Sequence, residues 1–381
     1  MITYGLTCML VTMSAGCLLA MASSAQAQST PVATKALPKR VVHLGDSITD
    51  GHTYTLLLDK ALRDAGLTPW VGINAGVGGH TAKQSLDRLD RDVLAHQPDL
   101  VSLMIGTNDA AQGVPLESYK QSVTAICDRL HKAGVKVMLL TAPPLGEMQA
   151  AKRPSVEAYN AFLRDLAQQR SYALAEVFTP MAAALEKGEE PLEGDHIHIT
   201  FMGYQIIARA MLDALGLAHV KVPDELSPVL MPGLVQEWRL KALPEKTTVD
   251  EAMARQADGQ GWTTLHLPMQ LPADAHWWAK HEAARGFATD LQTLVGDPKA
   301  KAFIARAKVD STSDAHVFLN TGGHVQAIFV NGQQVWRQTI GWTGWHAGKE
   351  RIAVDLHAGG NIIVIETGSA FFLSLTHDHR W

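Results

Sequence analysis

Ser47 lies in Gly45-Asp46-Ser47-Ile48-Thr49, directly after the apolar stretch Val41-Val42-His43-Leu44 and ahead of Asp50-Gly51. A serine attacks a carbonyl only when it stands exposed at a sharp turn, with backbone N–H groups beside it to receive the oxyanion. Glycine on both flanks permits such a turn, which makes Ser47 a candidate nucleophile at a strand-to-loop corner. Asp-Ser and Asp-Gly also punctuate ordinary turns, so the assignment depends on parts found further along the chain.

Three later segments supply those parts in order. Asn74-Ala75-Gly76-Val77-Gly78-Gly79-His80-Thr81 is a glycine-rich loop after a short apolar segment, where a backbone N–H can approach a substrate with no side chain in the way. Gly106-Thr107-Asn108-Asp109 ends the apolar run Leu100 to Ile105, placing an amide side chain at the carboxyl end of an expected buried strand. Asp195-His196-Ile197-His198 offers a carboxylate and an imidazole three residues apart, just before a helix that Thr200 is placed to cap.

On these four blocks the chain resembles the GDSL, or SGNH, hydrolase superfamily. Gly45-Asp46-Ser47-Ile48, Asn74 to Gly79, Gly106-Thr107-Asn108-Asp109 and the Asp-x-x-His pair Asp195 and His198 match its motifs in the family's order, over about residues 39 to 216. The resemblance implies Ser47 as nucleophile, His198 as general base and Asp195 as its orienting acid. It also implies the Ser47 and Gly79 N–H groups and the Asn108 amide as oxyanion donors. Such a site cleaves an ester through an acyl-enzyme that water then opens. No cofactor is expected.

Other titratable residues have plainer readings. Asp46 and Asp50 are read as fixing the turn through hydrogen bonds to backbone. His196 is the rival to His198 as base but falls at the wrong place inside Asp-x-x-His. His43, His52 and His80 invite a zinc reading, yet no cysteine or tight His-x-x-x-His spacing joins them, and no catalytic metal is expected. His377-Asp378-His379 reads as a solvated terminus. Cys127 is the lone cysteine outside the first 27 residues. It shares helical spacing with Tyr119, Val123, Ile126 and Leu130 and belongs in a core.

The elements that must hold these residues follow from periodicity. From about residue 38 to 216 apolar runs alternate with amphipathic stretches: Val41–Leu44 then Leu56 to Ala65, Val71–Ile73 then Leu86 to Leu94, Leu100–Ile105 then the Cys127 helix. Val135–Leu140 then Ala158 to Leu166, and Ala173–Val177 then Ile206 to Leu215, continue it. This predicts an α/β fold, a parallel sheet covered by helices on both faces with ligands beyond the carboxyl ends of its strands. By resemblance it is a three-layer αβα, flavodoxin-like sandwich.

After Leu217 the character changes. Residues 219–232 read as a linker, and eight of the nine tryptophans follow it. Val325, Ala327 and Phe329 alternate ahead of Asn331-Gly332, a hairpin signal, and Ile352, Val354 and Leu356 alternate ahead of Gly359-Gly360-Asn361. Phe371, Leu373 and Leu375 continue the pattern. Residues 233–381 resemble the antiparallel β-sandwich, or jelly-roll, modules of galactose-binding-like topology. Trp342-Thr343-Gly344-Trp345-His346 is read as plugging the end of that sandwich, with stacking on a sugar ring as the alternative; Trp277-Trp278 is open between the same two readings.

Met1 to Ala27 carries no charge and has an apolar centre from about Leu6 to Ala20 before Ala25-Gln26-Ala27, which reads as a secretory signal peptide, residues 1–27, leaving a catalytic domain at 28–218. A lipoprotein anchor at Cys17 is the alternative, and the apolar run is shorter than the ~20 residues of a membrane span. The expected location is periplasmic or extracellular. A formal charge of −5 on 381 residues, with no basic stripe, leaves nucleic acid nothing to bind. Export, a serine esterase site and a sugar-module-like partner together point to an acylated carbohydrate, most simply an O-acetyl ester, or another small ester. Lipase, lysophospholipase and thioesterase activities of the same superfamily, and acyl transfer to a sugar hydroxyl, are the alternatives.

Overall fold

In the computed structural model, which describes residues 37–377 apart from 69, 227–228, 258, 342 and 347–351, the first half of the chain builds a five-stranded, wholly parallel sheet. Its strands are β1 (Arg40–Gly45), β2 (Val71–Gly76), β3 (Leu100–Met104), β4 (Lys136–Leu140) and β5 (Ala173–Ala175), in the order β2-β1-β3-β4-β5. The signal-peptide and Cys17 readings lie outside the described residues, as do Trp342, Asp378 and His379.

Strand alternation divides the core in two. Val42, Leu44, Ile73, Val101, Leu103, Val137 and Leu139 point to one face, where α3 (Ala82–Asp87), α4 (Leu89–Asp92), α6 (Leu116–Lys132) and α7 (Arg153–Arg170) cover them. Val41, Leu100, Met104, Met138 and Leu140 point to the other, under α2 (Thr53–Asp64), α8 (Phe178–Glu186) and α9 (Phe201–Ala214). Strands buried on both faces explain the unbroken apolar runs in the sequence. Two further helices are short: α1 (Ser47–Asp50) after β1 and α5 (Thr107–Ala111) after β3. The chain leaves β1 toward β2 on one side and returns to β3 on the other, so the carboxyl ends of β1, β2 and β3 flank the point where strand order reverses, the usual ligand crevice of an open α/β sheet.

The second half forms an antiparallel sheet of seven strands: β6 (Glu237–Ala242), β7 (Thr263–His266), β8 (Phe303–Ser311), β9 (Ala315–Val330), β10 (Gln333–Arg337), β11 (Ile352–Leu356) and β12 (Gly359–Thr376). β9 and β12 run side by side for most of their length, with a register shift between Thr367 and Phe371. β11 pairs with the first part of β9 and β10 with the last, an arrangement consistent with a β-sandwich. Asn331 and Gly332 both take positive φ, 51° and 80°, in the two-residue connection from β9 to β10 that Asn-Gly favours. Period-2 patterning did not reveal three short helices here, α10 (Glu251–Arg255), α11 (Trp277–Arg285) and α12 (Leu291–Val295). α11 bears directly on the site.

Candidate active site

β1 ends at Gly45 and the chain turns at once into α1, whose first residue is Ser47. The turn is tight because a side chain has no room: a Cβ on Gly45 would lie 2.0 Å from Thr49 Oγ1. Asp46 caps α1 by accepting the Ile48 N–H at 3.1 Å, the turn-fixing role read from sequence. Burial pushes its carboxyl up to about 7, against the pull of that hydrogen bond and of nearby His198.

The glycine-rich loop follows β2. Asn74 ties it to the serine turn, donating to the Thr49 carbonyl at 2.6 Å and accepting from Gly76 N–H at 2.8 Å. Gly79 takes φ +83°, a conformation glycine adopts without penalty. Thr81 then opens α3 with a capping box shared with Gln84, and buried Asp109 accepts the Ala82 N–H at 3.1 Å. After β3, Asn108 on α5 donates one amide N–H to the His80 carbonyl at 3.3 Å. An amide carries two such hydrogens, and this bond uses one of them.

Arg88, which the sequence reading passed over, braces the same strand ends from beneath. Its guanidinium, 5% exposed, donates to the carbonyls of Gly45 at 2.8 Å and Ala75 at 2.6 Å and pairs with Asp92 at 3.1 Å. An arginine at the turn between two short helices, α3 and α4, carries no sequence mark of such a role.

Asp195 and His198 arrive from the loop before α9, which Thr200 caps through the Gly203 N–H. His198 Nδ1 lies 2.5 Å from Asp195 Oδ2, and Nε2 lies 3.1 Å from Ser47 Oγ. Burial raises the Asp195 carboxyl, but hydrogen bonds from the His198 ring and from the Ile197 and His198 N–H groups overcome it and hold the net value below the ordinary one. An ionised carboxylate can only accept, so the His198 proton sits on Nδ1 and Nε2 accepts from the serine hydroxyl.

The other histidines go elsewhere. His196 packs against Gly146, where a Cβ would come within 2.3 Å of its ring. His43 is buried under the sheet with Nδ1 2.7 Å from Ser102 Oγ, and burial lowers its pKa to about 3. His52 meets Arg285 at 3.3 Å. Among the described residues no group of His, Cys, Asp or Glu is arranged to hold a metal ion. Cys127 is a buried free thiol, pushed up to about 12 by its burial.

The cavity in front of Ser47, about 440 Å³, has two walls of different origin. Ser47, Gly78, Asp195 and His198 form one, and His276, Trp277, Trp278 and Trp345 from the second half of the chain form the other. Trp278 Nε1 donates to the Gly51 carbonyl at 3.1 Å, and Trp277 Nε1 to Glu193 Oε1 at 2.8 Å. Asp50 accepts the Trp345 N–H at 2.7 Å with one oxygen and the Gly78 N–H at 3.4 Å with the other. Behind it His346, 3% exposed, bonds Glu282 Oε2 at 2.8 Å. Trp345 therefore does more than plug a sandwich: it packs on Phe287 and His324 and also faces the serine.

A serine, an imidazole and a carboxylate thus converge at the switch point of a parallel-sheet α/β frame. Residues 43–206 match the model of the GDSL-like Lipase/Acylhydrolase family. That segment is similar to the GDSL-like acylhydrolases, and the protein is a carboxylic ester hydrolase. It is similar to an acetylxylan esterase of Geobacillus stearothermophilus, 24% identical over 215 residues, which span 48% of this chain and 96% of the relative. An arylesterase of Vibrio mimicus is 30% identical over 108 residues, 27% of this chain and 54% of the relative. Among solved structures, a catalytic mutant of the Geobacillus stearothermophilus acetylxylan esterase aligns at 23% identity and TM-score 0.44, covering 49% of this chain and 97% of that one. In the described residues no helix is long and apolar enough to cross a membrane.

Proposed function

We propose that the protein is an exported serine esterase that removes short acyl groups, acetyl foremost, from carbohydrates. In this reading residues 28–218 carry the chemistry after loss of the 1–27 signal peptide, and residues 233–381 form an accessory β-sandwich of galactose-binding-like type beyond the 219–232 linker. The observation that carries the proposal is the continuous hydrogen-bonded line from Ser47 Oγ through the His198 ring to Asp195.

In the mechanism His198 Nε2 takes the Ser47 proton as Oγ attacks the ester carbonyl, and the imidazolium that forms is steadied by ionised Asp195. The oxyanion is received by three N–H groups. Ser47 opens α1, so its N–H lacks an intrahelical partner; Gly79 N–H and the second Asn108 amide hydrogen complete the set. His198 returns its proton to the departing alcohol, then activates a water that opens the acyl-enzyme. Carbohydrate as the alcohol is supported by the tryptophan-lined wall, which a chain-like acyl group does not need, and by the acetylxylan esterase relative.

The test is acetate release from acetylated xylan and other acetylated polysaccharides, beside 4-nitrophenyl acetate and longer acyl esters, for wild type and Ser47→Ala. Acetate release from a glycan, abolished in the variant, is the expected result. Activity confined to longer acyl esters would replace the carbohydrate reading with a lipase or thioesterase one.

A further inference from the structure

We infer that the second half of the chain supplies the subsite for the alcohol half of the ester, with a pyranose ring of the substrate stacked on Trp278 and bordered by Trp345. This rests on the carbohydrate-ester reading above and adds which residues choose the substrate.

Three observations carry it. The wall opposite Ser47 is built from α11 and the segment leading to His346, so whatever occupies the cavity is held between the catalytic loops and these indoles. The indoles are oriented in advance. The Trp278 N–H is engaged by the Gly51 carbonyl, Trp345 is held by its backbone on Asp50, and the two rings meet edge to face at 6.2 Å and 74°. With its N–H engaged by protein, the Trp278 ring is held in place at the cavity wall, and ordering it costs the complex little further entropy. Trp277 differs, because it packs edge-on against Phe201 and Tyr204 and serves the seam between the two halves.

The third observation is the rim. His276, with its side chain 55% exposed, and Glu193, 25% exposed, stand beside the aromatic wall 3.5 Å apart. A pyranose has an apolar C–H face for the indoles and a ring of hydroxyls for an imidazole and a carboxylate. An alkyl chain matches the first and leaves the second to water. Because Asp50 and Gly51 follow the serine turn directly, the same contacts that hold the wall also set its distance from Ser47.

Two measurements on the full chain test this. Ser47→Ala is titrated with unacetylated xylo-oligosaccharide and followed by tryptophan fluorescence and calorimetry; the expected result is saturable binding that Trp278→Ala in the same background weakens at least tenfold. Separately, kcat and KM are measured for Trp278→Ala, Trp345→Ala and Trp278→Phe on acetylated xylo-oligosaccharide and on 4-nitrophenyl acetate. The alanine variants are expected to lose at least tenfold more kcat/KM on the glycan ester than on the aryl ester, chiefly through KM, with Trp278→Phe recovering part of it. Parallel losses on both substrates, or no loss, would overturn the subsite while leaving wild-type glycan activity to uphold the esterase reading. A larger loss on the aryl ester would assign the wall to an aromatic alcohol. A wild type without glycan activity would overturn both.

Discussion

Replacing Glu282 by glutamine removes one negative charge from the buried seam behind the active site and little else. The amide keeps the volume and an oxygen to accept from His346 Nε2, now 2.8 Å from the carboxylate. Burial alone would raise the Glu282 carboxyl, but His346, Arg285 and His281 around it bring it down from 4.5 to about 2. At about 1.4 kcal/mol per unit this difference corresponds to roughly 3 kcal/mol of folding stability, in the range of about 3–5 kcal/mol for breaking a buried ion pair. The pKa is depressed on folding, so the contribution is present above pH 4.5 and lost only as pH falls through about 2. Urea unfolding at pH 7 should therefore show the variant less stable by roughly 3 kcal/mol, with a lower midpoint and an unchanged slope. A loss under about 1 kcal/mol would refute the claim that a charge pair holds this seam.

The partner of that pair gives the opposite pH limb. Burial lowers the His346 pKa, yet the Glu282 and Asp50 carboxylates beside it raise the net value above 6.5. Its contribution is full below pH 6.5 and lost as pH rises through the raised value, so melting temperature should fall on the alkaline side in wild type and stay flatter in His346→Gln. Asn108→Ala should lose about 10²–10³ in kcat with its melting temperature nearly kept, the cost of one oxyanion donor; near wild-type turnover would remove Asn108 from that role. Asp195→Asn should drop kcat by about 10⁴ through the wrong His198 tautomer, and an effect below tenfold would contradict the orientation described. Gly76→Ala would set a Cβ 2.2 Å from the Asp50 backbone nitrogen, an overpacking worth about 1–3 kcal/mol or more; a wild-type urea midpoint would refute that contact.

Much of the candidate site was legible because its residues are short-range motifs. Ser47 follows a buried strand, Gly79 needs a positive φ, Asn108 sits at a strand end, and Asp195 and His198 share one loop, so each carries a local signature. The parallel sheet was equally readable, since strands such as Leu100–Met104 are buried on both faces and leave unbroken apolar runs. What was hidden depends on contacts between residues far apart in the chain. Arg88 reaching the Gly45 carbonyl, Trp278 reaching Gly51 and Asp50 meeting Trp345 leave no periodicity behind. α11 leaves little trace in the sequence because it has only nine residues and opens on the pair Trp277-Trp278, whose bulk fits a plug or a sugar platform as well as a helix. The expected plugging role of the Trp345 segment described half of its surroundings; the other half is the cavity in front of Ser47.

The central claim is that Ser47 is the nucleophile, and covalent trapping tests it most directly. The full-length enzyme is treated with a serine-directed organophosphonate, residual activity on 4-nitrophenyl acetate is followed in time, and the modified peptide is mapped by mass spectrometry. One label per chain is expected, on Ser47, appearing in step with the loss of activity and absent from Ser47→Ala. Inactivation with the label on another residue, or full activity retained in a chain labelled at Ser47, would contradict it.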